Sequence, residues 1–228
     1  MSLLVTGTDT GIGKTIVAAA ICAAARDAGV PVQALKPVES GTADNAGLPA
    51  DAQLLARVTG VEVGRAYVYG LDEPLAPVVA AQRAGVTLDI ARMDARVEAL
   101  RARGPMVVEG VGGALVEVVP GVAVADLGAR WDLDVLIVAG NRLGVLNHTL
   151  LTVEAVAARG ARIAGVVLNT VHPGEPTVAE RTNAAELARL LPASAPLLGA
   201  MPFVHEATAA SLAQAGEELT ARLLPFLR

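Results

Sequence analysis

The chain reads as an α/β protein, a doubly wound, mostly parallel sheet flanked by helices. Three observations predict this. Short apolar runs alternate with helix-length segments throughout the 228 residues. A glycine-rich turn separates the first apolar run from the first helical one. Hydrophobic residues make up 53% of the chain and aromatics only 2%, so the core is built from Ala, Val and Leu, which suits helices packed on a parallel sheet. No linker divides the chain, and residues 1–228 read as one domain.

The elements follow in order. Leu3-Leu4-Val5 is a buried strand, and residues 14–28 form a helix ended by Gly29. Val32–Lys36 reads as a second strand stopped by Pro37, which places Lys36 at its carboxyl end. Residues 37–50 form a polar loop, and Asp51 begins a short helix to about Val58. A strand at Tyr67–Tyr69 and a short helix after Pro77 follow. Thr87 reads as the N-cap of a helix running to Arg103, with Leu88, Ala91, Ala95 and Leu100 facing inward. Met106–Val108 is a buried strand ending in Glu109-Gly110-Val111-Gly112-Gly113, and no element is assigned over 114–131. Asp134–Ala139 is the clearest strand, followed by a helix over about 145–158. Gly165–Leu168 is a strand ended by Asn169, Pro176 and Thr177 open a helix to Leu191, and Leu197–Gly199 is a last short strand before C-terminal helical segments. Such alternation implies right-handed crossovers, with ligands gathered beyond the carboxyl ends of the strands.

The first turn, Gly7-Thr8-Asp9-Thr10-Gly11-Ile12-Gly13-Lys14-Thr15, has the strand–loop–helix layout of a phosphate-binding loop, so the fold is of the P-loop NTPase type. Backbone N–H groups and the helix dipole favour a polyphosphate there, Lys14 reaches the β/γ-phosphates, and Thr15 offers a hydroxyl to Mg²⁺. Gly7 sits one residue earlier than the strict G-x-x-x-x-G-K-[ST] spacing requires.

Phosphoryl transfer needs oxygen ligands for Mg²⁺ and cations around the moving group. Thr15, Asp51 and Glu109 are the candidate ligands. Glu109 is the strongest, being an acid directly after a buried strand. On the residues alone Asp51 reads as a helix N-cap. Lys36 is one of two lysines against sixteen arginines, and a flexible point charge suits a moving phosphate better than it suits an ordinary solvated position. Asn169 reads either as an adenine contact, since an amide both donates and accepts, or as a strand-end turn residue. His148, His172 and His205 have no metal spacing and no Cys partner. Cys22, the only cysteine, reads as a small buried residue of a cytoplasmic protein. The net charge of −5 does not support nucleic-acid binding, and neither a signal peptide nor a membrane span is expected.

With these motifs in view, the chain resembles the dethiobiotin synthetases, ATP-dependent carboxylases of biotin synthesis, nearly end to end. The resemblance is carried by Val5–Thr15, Lys36-Pro37-Val38-Glu39-Ser40-Gly41, Asp51-Ala52, Val108–Gly113, Arg142-Leu143-Gly144 with Asn147-His148, and Gly199–Pro202. It implies a ring closure of 7,8-diaminopelargonate with CO₂ at the expense of ATP, in a Mg²⁺-dependent cytoplasmic homodimer whose active site lies at or near the interface. It also implies roles for particular residues. Lys14, Lys36 and Thr10 would be catalytic. Gly11, Ile12, Gly13, Lys14, Thr15 and Ile16 would wrap ATP, with Asp51, Glu109, Gly110, Val111 and Gly112 beside them. Asn169, Thr170, Pro202, Phe203 and Val204 would form the adenine end. Ser40, Gly112, Leu143 and Asn147 would contact the diamine, the last two across the dimer. Two departures stand out: Val78 where many members carry histidine, and Arg142 where lysine is common. The alternative is a partitioning-type P-loop ATPase, but Asp9 stands where those proteins place a signature lysine, and residues 206–228 lack a basic face. No guanine-reading Asn-Lys-x-Asp motif occurs.

Overall fold

The structure, a computed structural model, describes residues 2–227. Its central feature is a seven-stranded sheet in the order β3-β2-β4-β1-β7-β8-β9, every adjacent pair parallel. The strands are β1 (Leu3–Gly7), β2 (Gln33–Ser40), β3 (Tyr67–Leu71), β4 (Met106–Glu109), β7 (Asp134–Gly140), β8 (Ile163–Asn169) and β9 (Leu197–Met201). A separate antiparallel pair, β5 (Glu117–Val119) and β6 (Val122–Ala123), falls in the stretch to which the sequence reading assigns nothing, as does helix α5 (Asp126–Arg130).

Helices cover both faces, and the period-2 alternation of the strands sorts their side chains between two cores. Leu3, Val5, Val107, Leu136 and Val138 face α1 (Lys14–Asp27), α2 (Ala50–Thr59) and α8 (Ala209–Leu223). Leu4, Met106, Val108, Val135 and Ile137 face the opposite layer, which includes α3 (Pro77–Ala84), α4 (Ile90–Arg101), α6 (Val145–Ala157) and α7 (Val178–Leu190). Helices α1 and α8 approach closely at Gly216, where a Cβ would lie 2.6 Å from the Ala20 carbonyl oxygen.

Two expectations are corrected. Pro37 does not stop β2. The strand pairs with β4 only over Gln33–Leu35 and with β3 from Lys36 to Ser40. The Lys36 N–H already donates to Ala66 O on the β3 side, so the N–H that proline lacks would point to where β2 has parted from β4. Lys36 is therefore mid-strand, at the point where the two strands splay. Helix α4 is capped by Asp89, not Thr87: Asp89 Oδ1 accepts from the Ala91 N–H at 2.8 Å, and the Asp89 N–H donates to the Tyr69 hydroxyl. The later start turns Met93, Val97 and Leu100 inward and leaves Ala91 and Ala95 exposed.

Among the described residues no helix is long and apolar enough to cross a membrane.

Candidate active site

β1 lies mid-sheet between β4 and β7, so the loop after it opens onto the crevice above the strand ends. Gly7 leaves room for its own loop: a Cβ there would lie 2.6 Å from Ile12 Cδ1 and 3.1 Å from Lys14 Cδ. Gly13 has φ +83°, and its Cβ would lie 2.3 Å from Asn169 Nδ2. The Lys14 stem is buried, and its Nζ donates to Asp9 O at 2.7 Å. Asp9 also pairs with Arg142 at 2.7 Å, tying the loop to the end of β7.

The splay of β2 from β4 opens a cavity of about 650 Å³ beside this loop. Thr10, Gly11, Gly13, Lys14, Thr15 and Ile16 line it from the loop side, and Lys36, Glu39, Ser40, Asp51, Glu109, Val111 and Gly112 from the other elements. Lys36 Nζ lies 2.5 Å from Glu109 Oε1 and 2.8 Å from Asp51 Oδ2, and it donates to Gly110 O at 3.2 Å. The Thr15 hydroxyl donates to Glu109 Oε1 at 2.8 Å. Glu109 Oε2 is buried with no partner, and so is the Ser40 hydroxyl. Helix α2 has no side-chain cap of its own. Glu39 takes its place, accepting from the Asp51 N–H at 2.9 Å and the Ala52 N–H at 3.0 Å.

Protonation follows burial and charge. Burial pushes the Glu109 carboxyl up to about 7, against the opposing pull of Lys36. Burial works against the Lys36 ammonium too, but Glu109 and Asp51 together outweigh it and raise its pKa. Burial, and secondarily the repulsion of Lys36, lowers Lys14 to about 8. Burial also raises Asp51, but Lys36 more than offsets this and holds it below the usual carboxylate range. Two cations and three carboxylates thus face one cavity, an arrangement that an incoming polyphosphate and a divalent cation would complete.

The donor set suits Mg²⁺. Thr15, Asp51 and Glu109 supply hard oxygens, and the unpartnered Glu109 Oε2 is a free lone-pair site among them.

The other predicted residues are more dispersed. Ile12 is buried beneath the loop and offers only its backbone, its carbonyl accepting from Asn169 Nδ2 at 2.8 Å. Asn169 therefore braces the loop from below, and its Oδ1 is left without a partner. Gly110 is packed under Val124 and contributes its carbonyl to Lys36. Thr170, Pro202 and Phe203 line a recess of about 340 Å³, and Pro202, Phe203 and Val204 one wall of a groove of about 800 Å³ against α8. Leu143 and Asn147 are exposed and absent from the main cavity, Leu143 by 86%. Glu39 and Asp9 acquire site roles that sequence reasoning did not assign. The motif containing Glu39 was visible, but its bond to α2 joins segments with no local signature.

A family model described as an AAA domain matches residues 1–211. The chain is 48% identical over 192 residues to an ATP-dependent dethiobiotin synthetase BioD of Anaeromyxobacter dehalogenans, covering 82% of this chain and 84% of that protein. It is 43% identical over 212 residues to the protein of the same name from Aromatoleum aromaticum, covering 91% and 92%. Among solved structures, MinD cell division protein of Aquifex aeolicus superposes with a TM-score of 0.56 at 14% identity, covering 98% of this chain and 97% of that one. A ParA family ATPase from Chlorobium tepidum does so at 0.51 and 14%, covering 99% and 95%. These two likenesses show the P-loop NTPase fold alone. By sequence, the chain belongs to the AAA domain family that the matching model describes and to the family of ATP-dependent dethiobiotin synthetases.

Proposed function

We propose that the protein closes the ureido ring of dethiobiotin from 7,8-diaminopelargonate, CO₂ and ATP. The observation that carries this reading is the meeting of Lys36, Asp51, Glu109 and Thr15 beside the phosphate-binding loop, in a chain 43–48% identical to named dethiobiotin synthetases. One amine of the diamine adds to CO₂ and loses a proton, giving a carbamate. A carbamate oxygen attacks the γ-phosphorus of ATP and displaces ADP. The second amine then attacks the resulting anhydride carbon, expelling phosphate and closing the ring.

The protein's part is to position and to neutralise charge. Lys14 and Lys36 face the transferring phosphoryl group, and Thr10 faces it from the loop side of the cavity. Thr15, Asp51 and Glu109 would hold Mg²⁺, which neutralises phosphate oxygens. The unpartnered Ser40 hydroxyl and the Gly112 turn receive the diamine. Asn169, Thr170 and Pro202–Val204 border the adenine. The apolar exposure of Leu143, with Leu115 and Leu151 each 56% exposed, supports a homodimer in which Leu143 and Asn147 reach the partner's site. One sheet running from residue 3 to 201 supports residues 1–228 as a single domain.

The purified protein is expected to form dethiobiotin and ADP in equal amounts from diaminopelargonate, bicarbonate and MgATP. ATP hydrolysis at an undiminished rate without the diamine would count against the reading and favour a partitioning-type ATPase.

A further inference from the structure

We propose that Glu39 is a positioning residue for the reaction, clamping the first turn of α2 to β2 so that the Asp51 carboxylate meets the Lys36 ammonium. The role in turnover rests on reading the cavity as a phosphoryl-transfer site. The clamp itself rests on geometry.

Three polar contacts join the two elements: Asp51 and Ala52 N–H to the two Glu39 oxygens at 2.9 and 3.0 Å, and Asp51 Oδ2 to Lys36 Nζ at 2.8 Å. Lys36 and Glu39 are three residues apart on one strand, and Asp51 and Ala52 are consecutive on one helix. The result is a two-point bracket. The segment between the elements does not provide one. It holds three residues in the left-handed region, Gly41 (φ +86°), Ala46 (φ +52°) and Gly47 (φ +77°), and Ala46, Gly47 and Leu48 are exposed.

A cap alone would not require this arrangement. A Ser, Thr or Asp at position 49 would satisfy the same N–H groups locally, whereas Pro49 makes no side-chain cap. The chain instead buries a second carboxylate next to Asp51, against charge repulsion and desolvation. What this achieves, and a local cap would not, is to pin the first turn of α2 to the strand that carries Lys36. Asp51 is the group most affected: its side chain is 37% exposed, and without the clamp its own contacts to Lys36 and Thr15 and the packing of Ala52 and Leu55 would be left to hold it over the cavity.

The chain has only two lysines, Lys14 and Lys36, so lysine labelled with ¹³C at Cε gives one signal for each. In Glu39→Ala the Lys36 signal is expected to move more than the Lys14 signal. The kcat is expected to fall roughly 10- to 100-fold while KM for the diamine changes less than about threefold. Glu39→Gln, whose one oxygen can accept one N–H, should fall between Glu39→Ala and the unsubstituted protein on both readouts. Asp89→Ala removes the α4 cap, away from the cavity, and should lower the melting temperature while leaving both lysine signals and kcat in place. A folded Glu39→Ala whose Lys36 signal does not move, or whose kcat falls no more than that of Asp89→Ala, would overturn the proposal and leave Glu39 a helix cap. If Glu39→Ala does not fold, Glu39→Gln decides by the same signals. Those signals need no substrate, so failure of the clamp is distinguishable from failure of the dethiobiotin reading.

Discussion

Replacing Glu109 by Gln removes one titrating group from the most enclosed part of the cavity while keeping its shape. In the folded chain, burial raises this carboxyl from an ordinary 4.5 to about 7 despite the nearby Lys36. Between those values the folded protein holds a proton that the unfolded chain has released. The stability linked to Glu109 is therefore fully present below pH 4.5 and is lost as pH rises through about 7. At ~1.4 kcal/mol per pKa unit, the loss sums to about 3 kcal/mol. Glutamine does not titrate. Glu109→Gln should therefore gain about 3 kcal/mol on the unsubstituted protein across that window, whatever the offset between the two at any one pH. Lys36 keeps the Asp51 carboxylate at 2.8 Å in both proteins, which favours its charged form across the window. Urea unfolding followed by far-ultraviolet circular dichroism, without nucleotide or Mg²⁺, measures the difference from about pH 4.5 to about pH 7.5. Stability curves that run parallel across this range would refute the reasoning. Turnover of the same variant should fall by roughly 100-fold, since a charged oxygen that would hold Mg²⁺ against the phosphates is lost.

Four further outcomes are expected. Lys36→Met should lower kcat roughly 100- to 1,000-fold, measured by ADP release, with the fold retained by circular dichroism; unchanged turnover would remove Lys36 from the site. Gly13→Ala should abolish ATP binding in calorimetry, because its φ of +83° and the 2.3 Å approach to Asn169 force the loop to move. Gly216→Ala should destabilise the protein by about 1–3 kcal/mol in urea, as a Cβ 2.6 Å from the Ala20 carbonyl pushes α8 off α1. Leu143→Asp should yield a monomer in sedimentation equilibrium and depress turnover with it. A persistent dimer would place the interface elsewhere.

Much of this protein is legible from local pattern. The period-2 strands, the helix-length runs between them and the glycine loop before Lys14 are set by interactions within a few residues, and they appear in the structure with small shifts at their ends. The errors have causes outside the local segment. Proline removes a donor, which normally ends a strand, but whether that donor is needed depends on which neighbour lies beside it, and β2 changes neighbours at Lys36. Thr87 and Asp89 are both good caps, and the Tyr69 hydroxyl, from another element, takes up the Asp89 N–H ahead of the helix.

The site divides in the same way. The sequence alone determined the phosphate loop, because strand, glycines, lysine and helix are contiguous there. It also marked Glu109 as a strand-end acid and Lys36 as a rare lysine. Only the tertiary structure decided that Lys36, 73 residues from Glu109 and 15 from Asp51, brings both carboxylates onto one ammonium. For Asp51, a helix-start acid has the same local signature whether it caps its own helix or serves a cavity. The fold resolves this by giving the capping to Glu39 and leaving the Asp51 carboxylate to Lys36. Contacts of this kind depend on sheet order and on where two strands diverge, and neither is encoded in any single segment.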